Sequence, residues 1–313
     1  MSSTDFEPAP APASAPENGP APGSGRHRLP RRYVAFGLII AAIALLGTLV
    51  LVRDTYSPPS SPTTETFNPA PSSLVDTIAS VPASVYDTVG VTSPASPVTP
   101  PHATTKTGDA PMWMATVNNG PQEPVVFFYG AEFAPYAAAE RWPLVLALSR
   151  FGTFRRLGVV QSSSTTAFAN LSTFTFYGDY YTSRYVVLEP VERYGSLNPT
   201  GARYLSLETP DARQRAAINY YASSPTTFPL LDVANRWVLN DASFAPSVLV
   251  GLSQDEIAGD LSSPASPLTQ AVISAANEIT ASICAVDGQK PANVCDSRGV
   301  LAADQALKIT PPA

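Results

Sequence analysis

The five residues at positions 125–129, VVFFY, constrain the fold more than any other stretch of this 313-residue chain. A continuous run of β-branched and aromatic residues is typical of a strand buried on both faces. A short loop follows, and residues 138–151 (AAERWPLVLALSRF) are rich in helix-forming Ala and Leu, with Gly152 as a stop signal. Since a strand, a short loop and a helix open an α/β unit, we predict an α/β domain.

A second constraint is an uncharged run of nineteen residues that begins at Val34 and ends at Val52. As a helix it is long enough to cross about 30 Å of hydrocarbon. Four arginines precede it and only Arg53 closely follows, so the positive-inside rule places the N-terminus in the cytoplasm. We predict a single-pass plasma-membrane protein whose main domain is extracytoplasmic. A cleaved signal peptide is the alternative, although its apolar region is normally about 7–15 residues long.

Composition supplies the remaining boundaries, and many of the 33 prolines lie outside the α/β region. Segments rich in Pro, Ala and Ser cannot bury enough apolar surface to form a core. We predict a disordered cytoplasmic tail (1–32), a transmembrane helix (33–53), a Ser/Thr/Pro-rich stalk (54–72), a short amphipathic segment with a linker (73–111), an extracytoplasmic α/β domain (112–305) and a C-terminal tail (306–313).

Within the linker region, apolar residues recur at spacings of three and four: Leu74, Ile78, Val81, Val85 and Val89. This pattern predicts a short, interrupted amphipathic helix that docks on the main domain. The internal Pro82 leaves open the alternative of an apolar patch within the stalk. Residues 93–111 read as an extended Pro-rich spacer.

Further along, residues 226–233 and 236–239 predict two strands joined by a tight turn at Ala234 and Asn235. Helix starts are predicted at 209–211 (TPD), at the capping box formed by Ser253 and Glu256, and at 266–267 (SP). Several aromatic residues alternate along a predicted strand pair and are interpreted as packed core, with a binding platform as the alternative. They are Phe174, Phe176, Tyr177, Tyr180, Tyr181 and Tyr185.

Residue counts exclude several classes of activity. The two histidines, His27 and His102, lie in Pro-rich stretches, which argues against a Ser-His-Asp triad, a Cys-His pair or an H-E-x-x-H zinc site. Two cysteines are too few for a four-cysteine zinc site. We therefore expect no metal and no cofactor. Residues 1–53 carry five basic and three acidic residues, and the rest of the chain carries 14 basic and 22 acidic residues. Because the region after residue 53 has an excess of negative charge, we expect no binding to nucleic acid.

Three segments of the chain resemble a known family: residues 127–154 (FFYGAEFAPYAAAERWPLVLALSRFGTF), 174–192 (FTFYGDYYTSRYVVLEPVE) and 276–295 (ANEITASICAVDGQKPANVC). The chain resembles the uncharacterised bacterial and archaeal membrane proteins grouped as domain of unknown function 929. The resemblance implies a thioredoxin-like fold. In that family the turn after the first strand typically reads Cys-Pro-Tyr-Cys, whereas here Ala134 and Ala137 occupy both sulfur positions.

The loss of both sulfurs decides the expected mechanism. A C-x-x-C pair works because a helix N-terminus lowers the pKa of the first thiol and the second thiol then resolves the mixed disulfide. Alanine can do neither step, so we expect no catalytic residue and a role in binding a protein or peptide. The resemblance implies a groove formed by Pro135, Tyr136, Phe228 and Pro229, with a cis-proline at Pro229 or, as the fallback, at Pro246.

The two cysteines, Cys284 and Cys295, have ten residues between them and are predicted to form a structural disulfide, with a labile redox pair as the alternative. Two other functions therefore stay open. One is thiol–disulfide exchange that uses these cysteines or the thiol of a partner. The other is a purely structural role in the cell envelope.

Overall fold

The computed structural model describes residues 66–94, 96–104, 111–116, 120–197 and 203–309. Three predicted segments fall wholly or mostly outside these residues: the N-terminal tail, the apolar run from Val34 to Val52 and the stalk. Among the described residues, no helix has the length and apolar character needed to span a membrane.

The architecture is mixed α/β, as predicted, and has eight α-helices in the described part of the chain. The strands are β1 (His102–Ala103), β2 (Met114–Thr116), β3 (Gln122–Gly130), β4 (Gly152–Gln161), β5 (Ser172–Ser183), β6 (Val187–Glu192), β7 (Leu230–Val233) and β8 (Trp237–Leu239). The helices are α1 (Ser72–Ala79), α2 (Ala83–Val89), α3 (Pro135–Ser149), α4 (Ala212–Tyr221), α5 (Gln254–Asp260), α6 (Pro267–Asp287), α7 (Ala292–Cys295) and α8 (Arg298–Leu307).

The predicted buried strand is confirmed as β3, the centre of a six-stranded sheet. Its residues from Val125 to Gly130 are buried, as expected for a strand covered on both faces. β6 pairs with β3 in parallel along one edge, and β7 pairs antiparallel with the same part of β3 along its other edge. β8 pairs with β7, and β1 pairs with β8 at the edge. The helix α3 connects the central strand to the β4–β5 hairpin, which precedes β6.

The prediction for α3 is confirmed with shifted ends, since the helix runs over Pro135–Ser149. It begins three residues earlier than the Ala-rich stretch because Pro135 is well suited to the first helical position. The two strands around Ala234 and Asn235 are also confirmed as β7 and β8, although β7 begins at Leu230 and not at Thr226. Both turn residues have positive φ, 54° and 59°, which is typical of a tight hairpin turn.

β4 and β5 form a separate two-stranded sheet that packs on α3. The Trp142 indole donates a hydrogen bond to the Ser172 carbonyl oxygen at 3.0 Å, and its ring meets Phe174 edge-on at 4.6 Å. Phe174 and Phe176 are fully buried, which confirms the packed-core interpretation for these two residues. Tyr180 is exposed.

The predicted interrupted amphipathic helix is confirmed as the pair α1 and α2, which Pro82 separates. Their apolar residues are buried: Leu74, Ile78, Val85 and Val89. The Asn277 side chain of α6 donates hydrogen bonds to the carbonyl oxygens of Tyr86 and Gly90 at 3.0 and 2.8 Å. This pair of helices is therefore part of the domain.

The stretch that composition predicts as a spacer also contributes to the fold. His102 and Ala103 form β1, and the Thr99 amide donates to the Ser243 carbonyl oxygen at 2.6 Å. Extended Pro-rich backbone and an edge strand have similar dihedral angles, so composition alone does not distinguish them. The predicted starts of α4, α5 and α6 are confirmed, with capping boxes at Asp211–Gln214 and Ser253–Glu256.

Candidate functional site

The candidate site is the turn that joins β3 to α3. Ala134 is the N-cap of the helix, with φ −81° and ψ 122°, and Pro135 occupies the first helical turn. The Ala138 amide donates to the Ala134 carbonyl oxygen at 3.0 Å and so closes the first turn. Ala134 is 6% exposed, Ala137 is fully buried, and Tyr136 is 41% exposed. Of the four residues in this turn, Tyr136 alone offers a large side chain to solvent.

A cluster of aromatic rings surrounds the turn. Phe133 stacks on Tyr204, with ring centroids 3.9 Å apart and planes 7° apart. Phe133 also meets Phe228 edge-on at 5.9 Å, and Phe228 lies 5.1 Å from Tyr129. Such contacts stabilise a packed pair by about 0.5–1.5 kcal/mol beyond the burial of area. They hold the loop before Ala134 in a fixed position.

The structure brings the two halves of the expected groove together through the contact between Phe133 and Phe228. The Phe228–Pro229 peptide bond is cis and directly precedes β7. Pro246, the fallback position, begins a 3₁₀ helix over Pro246–Leu249. Pro135, Phe228 and Pro229 are buried. Tyr136 is therefore the member of the expected groove that a partner can reach without rearrangement.

The tip of the β4–β5 hairpin forms the other side of the turn. The Ser163 amide donates to the Phe133 carbonyl oxygen at 3.1 Å, and the Tyr204 hydroxyl donates to the Ser163 hydroxyl oxygen at 2.9 Å. The Phe168 ring lies edge-on to Tyr136 at 6.3 Å. The sequence analysis did not identify Ser163, Phe168 or Tyr204, because they come from distant segments and belong to no local motif.

A buried ion pair anchors α3 to the sheet one turn beyond the candidate site. Arg141 donates two hydrogen bonds to Glu192 at the end of β6, from Nε to Oε1 at 2.8 Å and from Nη2 to Oε2 at 2.6 Å. Both side chains are fully buried. The Phe176 amide also donates to Glu192 Oε1, at 3.2 Å. The paired charge and the bidentate geometry make this a strong local contact.

Further carboxyl groups lie near this pair. The Glu192 amide donates to Glu208 Oε2 at 2.6 Å. Burial, with the nearby charge of Glu192 as a smaller contribution, raises the pKa of Glu208 to about 7. Burial also raises the pKa of Asp179 to about 7, with smaller contributions from Glu208 and Glu192. Carboxyl groups are therefore concentrated at this end of β6, and two of them are partly protonated at neutral pH.

Glu140, the residue before Arg141, forms no ion pair within the described part of the chain. It is fully buried, and its Oε2 accepts a hydrogen bond from the Ser243 amide at 2.7 Å. Burial raises its pKa to about 8, with smaller contributions from Asp241 and Glu278. Burial also raises the pKa of Glu278, on α6, to about 7. At neutral pH the carboxyl group of Glu140 is therefore largely protonated.

The predicted disulfide between Cys284 and Cys295 is confirmed. Both residues are fully buried, and their Cα atoms lie 5.7 Å apart. The two sulfurs and the Asp287 carboxylate lie within 4.8 Å of one another. Because both sulfurs are bonded to each other, neither can act as a thiolate ligand, and metal binding here would first require reduction of the disulfide.

Comparison with known proteins gives one match. A family model described as "Domain of unknown function (DUF929)" matches residues 116–285, a range that includes the turn, Phe228 and Pro229. No curated protein and no solved structure matches the chain.

Proposed function

The chain belongs to the DUF929 family, and we propose that its α/β domain is a thioredoxin-like scaffold without thiol chemistry that binds a protein or peptide around Tyr136. The observation that carries the proposal is the turn before α3. It has Pro135 at the first helical position and an exposed Tyr136, while alanines stand where thiol chemistry needs sulfurs. A fold of this kind can host many functions, so the argument rests on the site.

The connectivity of the domain supports the thioredoxin-like part of this proposal. The order β3, α3, β6, α4, β7, β8, α6 gives a sheet in which β6 and β3 are parallel and β7 and β8 follow antiparallel. The cis bond at Phe228–Pro229, directly before β7, agrees with the position that the resemblance implies. The β4–β5 hairpin is an insertion between α3 and β6 on this interpretation.

The exposed surface of the turn supports a role in binding. Tyr136 is 41% exposed, and the half-buried Phe133 and Tyr204 are held by stacking and by the bond to Ser163. Rigid aromatic side chains supply a large contact area at a low cost in conformational entropy. A partner would therefore meet a surface that is already ordered.

The test is in-cell crosslinking with a photoreactive amino acid at Tyr136, followed by mass spectrometry. The matched control is the same group at Tyr220, which is similarly exposed at 46% but lies on α4. We expect discrete protein adducts from position 136 that are absent from position 220. Equal labelling from both positions would contradict the proposal and favour a structural envelope role.

A second measurement tests the absence of thiol chemistry. The purified native protein should not accelerate the reduction of insulin disulfides by dithiothreitol above the uncatalysed rate. Activity above that rate would refute the proposed loss of thiol chemistry.

A thiol–disulfide exchange function at Cys284 and Cys295 is the second candidate. One observation favours it: Cys284 lines a cavity of about 560 Å³, which also contacts Trp237 and Lys308. Full burial of both cysteines favours a structural disulfide instead. Mixed disulfides trapped at either cysteine in cells would establish the exchange function.

We also propose that the run from Val34 to Val52 anchors the protein in the plasma membrane, with the domain outside. A disulfide in the domain is in keeping with an oxidising compartment. The full chain should stay with membranes after alkaline carbonate extraction. A variant lacking residues 34–52 should be released, and its retention would contradict the anchor.

A further inference from the structure

A polar cavity of about 560 Å³ lies beside the tip of the β4–β5 hairpin. We infer that it is a binding site for a neutral saccharide. Its size falls within the range of about 300–1,000 Å³ that is usual for small-molecule sites. The inference is independent of the function proposed for the Tyr136 surface, because the amides that it offers to the ligand, those of Asn68, Gln161 and Asn170, do not belong to that surface.

The chemistry of the walls points to this class of ligand. Nine of the twelve described residues that line the cavity carry a hydroxyl or an amide group, and the other three are Val159, Val160 and Leu197. Hydroxyl and amide groups both donate and accept hydrogen bonds, as sugar hydroxyls do. Such walls match a ligand with many hydroxyl groups, which can replace water at the exposed amides of Asn68, Gln161 and Asn170.

Several of these groups are available to a ligand. Within the described part of the chain, the side-chain amides of Asn68, Gln161 and Asn170 make no hydrogen bond to protein atoms. Gln254 uses its amide nitrogen for the carbonyl oxygens of Val160 and Thr173, both at 3.4 Å, which leaves its amide oxygen available. The walls thus present donors and acceptors from more than one side.

The hairpin side of the cavity is already ordered. The Ser162 hydroxyl accepts a hydrogen bond from the Leu171 amide at 2.9 Å, and the Tyr204 hydroxyl donates to Ser163 at 2.9 Å. Asn170 has a φ of 57°, a left-handed conformation that asparagine tolerates better than most residues. A site that is ordered before binding loses less entropy when the ligand arrives.

Other ligand classes fit the cavity less well. None of the described lining residues is charged, so a phosphate or a carboxylate would find no cationic partner there. A peptide that adds to a sheet needs a free strand edge. The adjacent edge of β4 is already occupied, because the Val159 amide donates to the Asn68 carbonyl oxygen and the Ala70 amide donates to the Leu157 carbonyl oxygen, both at 2.8 Å.

The test is a titration of the full chain, kept in a sugar-free zwitterionic detergent, and observed by saturation-transfer NMR and calorimetry. The probes are glucose, galactose, mannose and N-acetylglucosamine, each as the free sugar and as a disaccharide, with glucuronate and trialanine as comparison ligands. We expect at least one neutral saccharide to bind saturably with a Kd of about 1 mM or tighter. The charged sugar and the peptide should bind more weakly.

Variants locate the site. Gln161→Leu and Asn170→Gly should each weaken binding of that saccharide roughly tenfold, the effect of losing about 1.4 kcal/mol of interaction. Gly is used at position 170 because it keeps the positive φ. The matched control is Gln305→Leu, the same change on α8, which should bind as the native protein does. Circular dichroism and melting curves establish that each variant is folded.

Three outcomes would overturn the inference. They are the absence of saturable binding by every neutral saccharide, stronger binding of glucuronate or trialanine, and undiminished binding by folded variants at positions 161 and 170. A variant that fails to fold is replaced by Asn68→Ala, which changes a separate wall of the cavity.

Discussion

The start of α3 and the end of α6 differ in a way that bears directly on thiol chemistry. A helix N-terminus stabilises a thiolate and a helix C-terminus disfavours it. The N-terminal turn of α3 holds Ala134 and Ala137, whereas Cys284 lies in the last turn of α6 and is buried in a disulfide. The sulfurs of this domain thus stand where they stabilise the fold, and the position suited to reactive thiols has none.

The largest expected effect comes from restoring sulfur to the start of α3. The double variant Ala134→Cys with Ala137→Cys should accelerate insulin reduction well above the rate with the native protein, because the helix N-terminus favours the attacking thiolate. The single variant Ala137→Cys is the control and should stay inactive. A folded double variant with two free thiols and no exchange activity would break the comparison, since the turn would then lack the geometry for thiol chemistry.

The next effect concerns the ion pair that anchors α3. Glu192→Gln leaves Arg141 buried without its counter-charge and should lower the free energy of unfolding by about 3–5 kcal/mol, measured by urea denaturation. The matched control is Arg141→Met with Glu192→Leu, which removes both charges and should be less destabilised than the single change. If both variants lose the same stability, packing rather than charge anchors the helix.

Removal of the disulfide should have a smaller effect. Cys284→Ala with Cys295→Ala opens a short loop and should lower the free energy of unfolding by about 3 kcal/mol in the chain-entropy model. Crosslinking from Tyr136 should not change in the folded variant. Loss of crosslinking without loss of stability would instead show that the cysteines take part in function.

Local patterns predicted much of the fold because single segments carry the signal. The VVFFY run, the Ala- and Leu-rich stretch at 138–151 and the spacing of Leu74 and Ile78 each predicted an element that the structure contains. The β1 strand was not predicted, because its pairing with β8 depends on contacts across the chain.

The candidate site was less accessible to sequence reasoning. The proposal that Ala134 and Ala137 stand where relatives carry cysteine rests on the family resemblance, since an Ala-Pro-Tyr-Ala turn is by itself an ordinary helix start. The stacking of Phe133 on Tyr204 joins segments that share no motif. Burial of Phe228 and Pro229 likewise depends on how the loops pack, which no local pattern specifies.

The pH dependence of stability sharpens the comparison from within α3, where Glu140 is buried and forms no ion pair with the described residues. Its pKa is raised to about 8 in the folded protein from an ordinary value of 4.5, so the folded state holds a proton that the unfolded chain releases. The contribution of Glu140 to stability is therefore fully present below pH 4.5 and is lost as the pH rises to about 8, at up to about 1.4 kcal/mol per pH unit.

Glu140→Gln keeps the shape of the protonated group and should remove this loss. Its stability relative to the native protein should rise between pH 4.5 and pH 8 and then level off, as measured by urea denaturation across that range. Glu278→Gln is the control, because burial raises the pKa of Glu278 only to about 7. The stability of this variant relative to the native protein should therefore level off at about pH 7. If the difference in stability between Glu140→Gln and the native protein does not change with pH, the Glu140 carboxylate is already ionised in the folded protein. Thiols introduced at positions 134 and 137 would then share α3 with a negative charge at neutral pH.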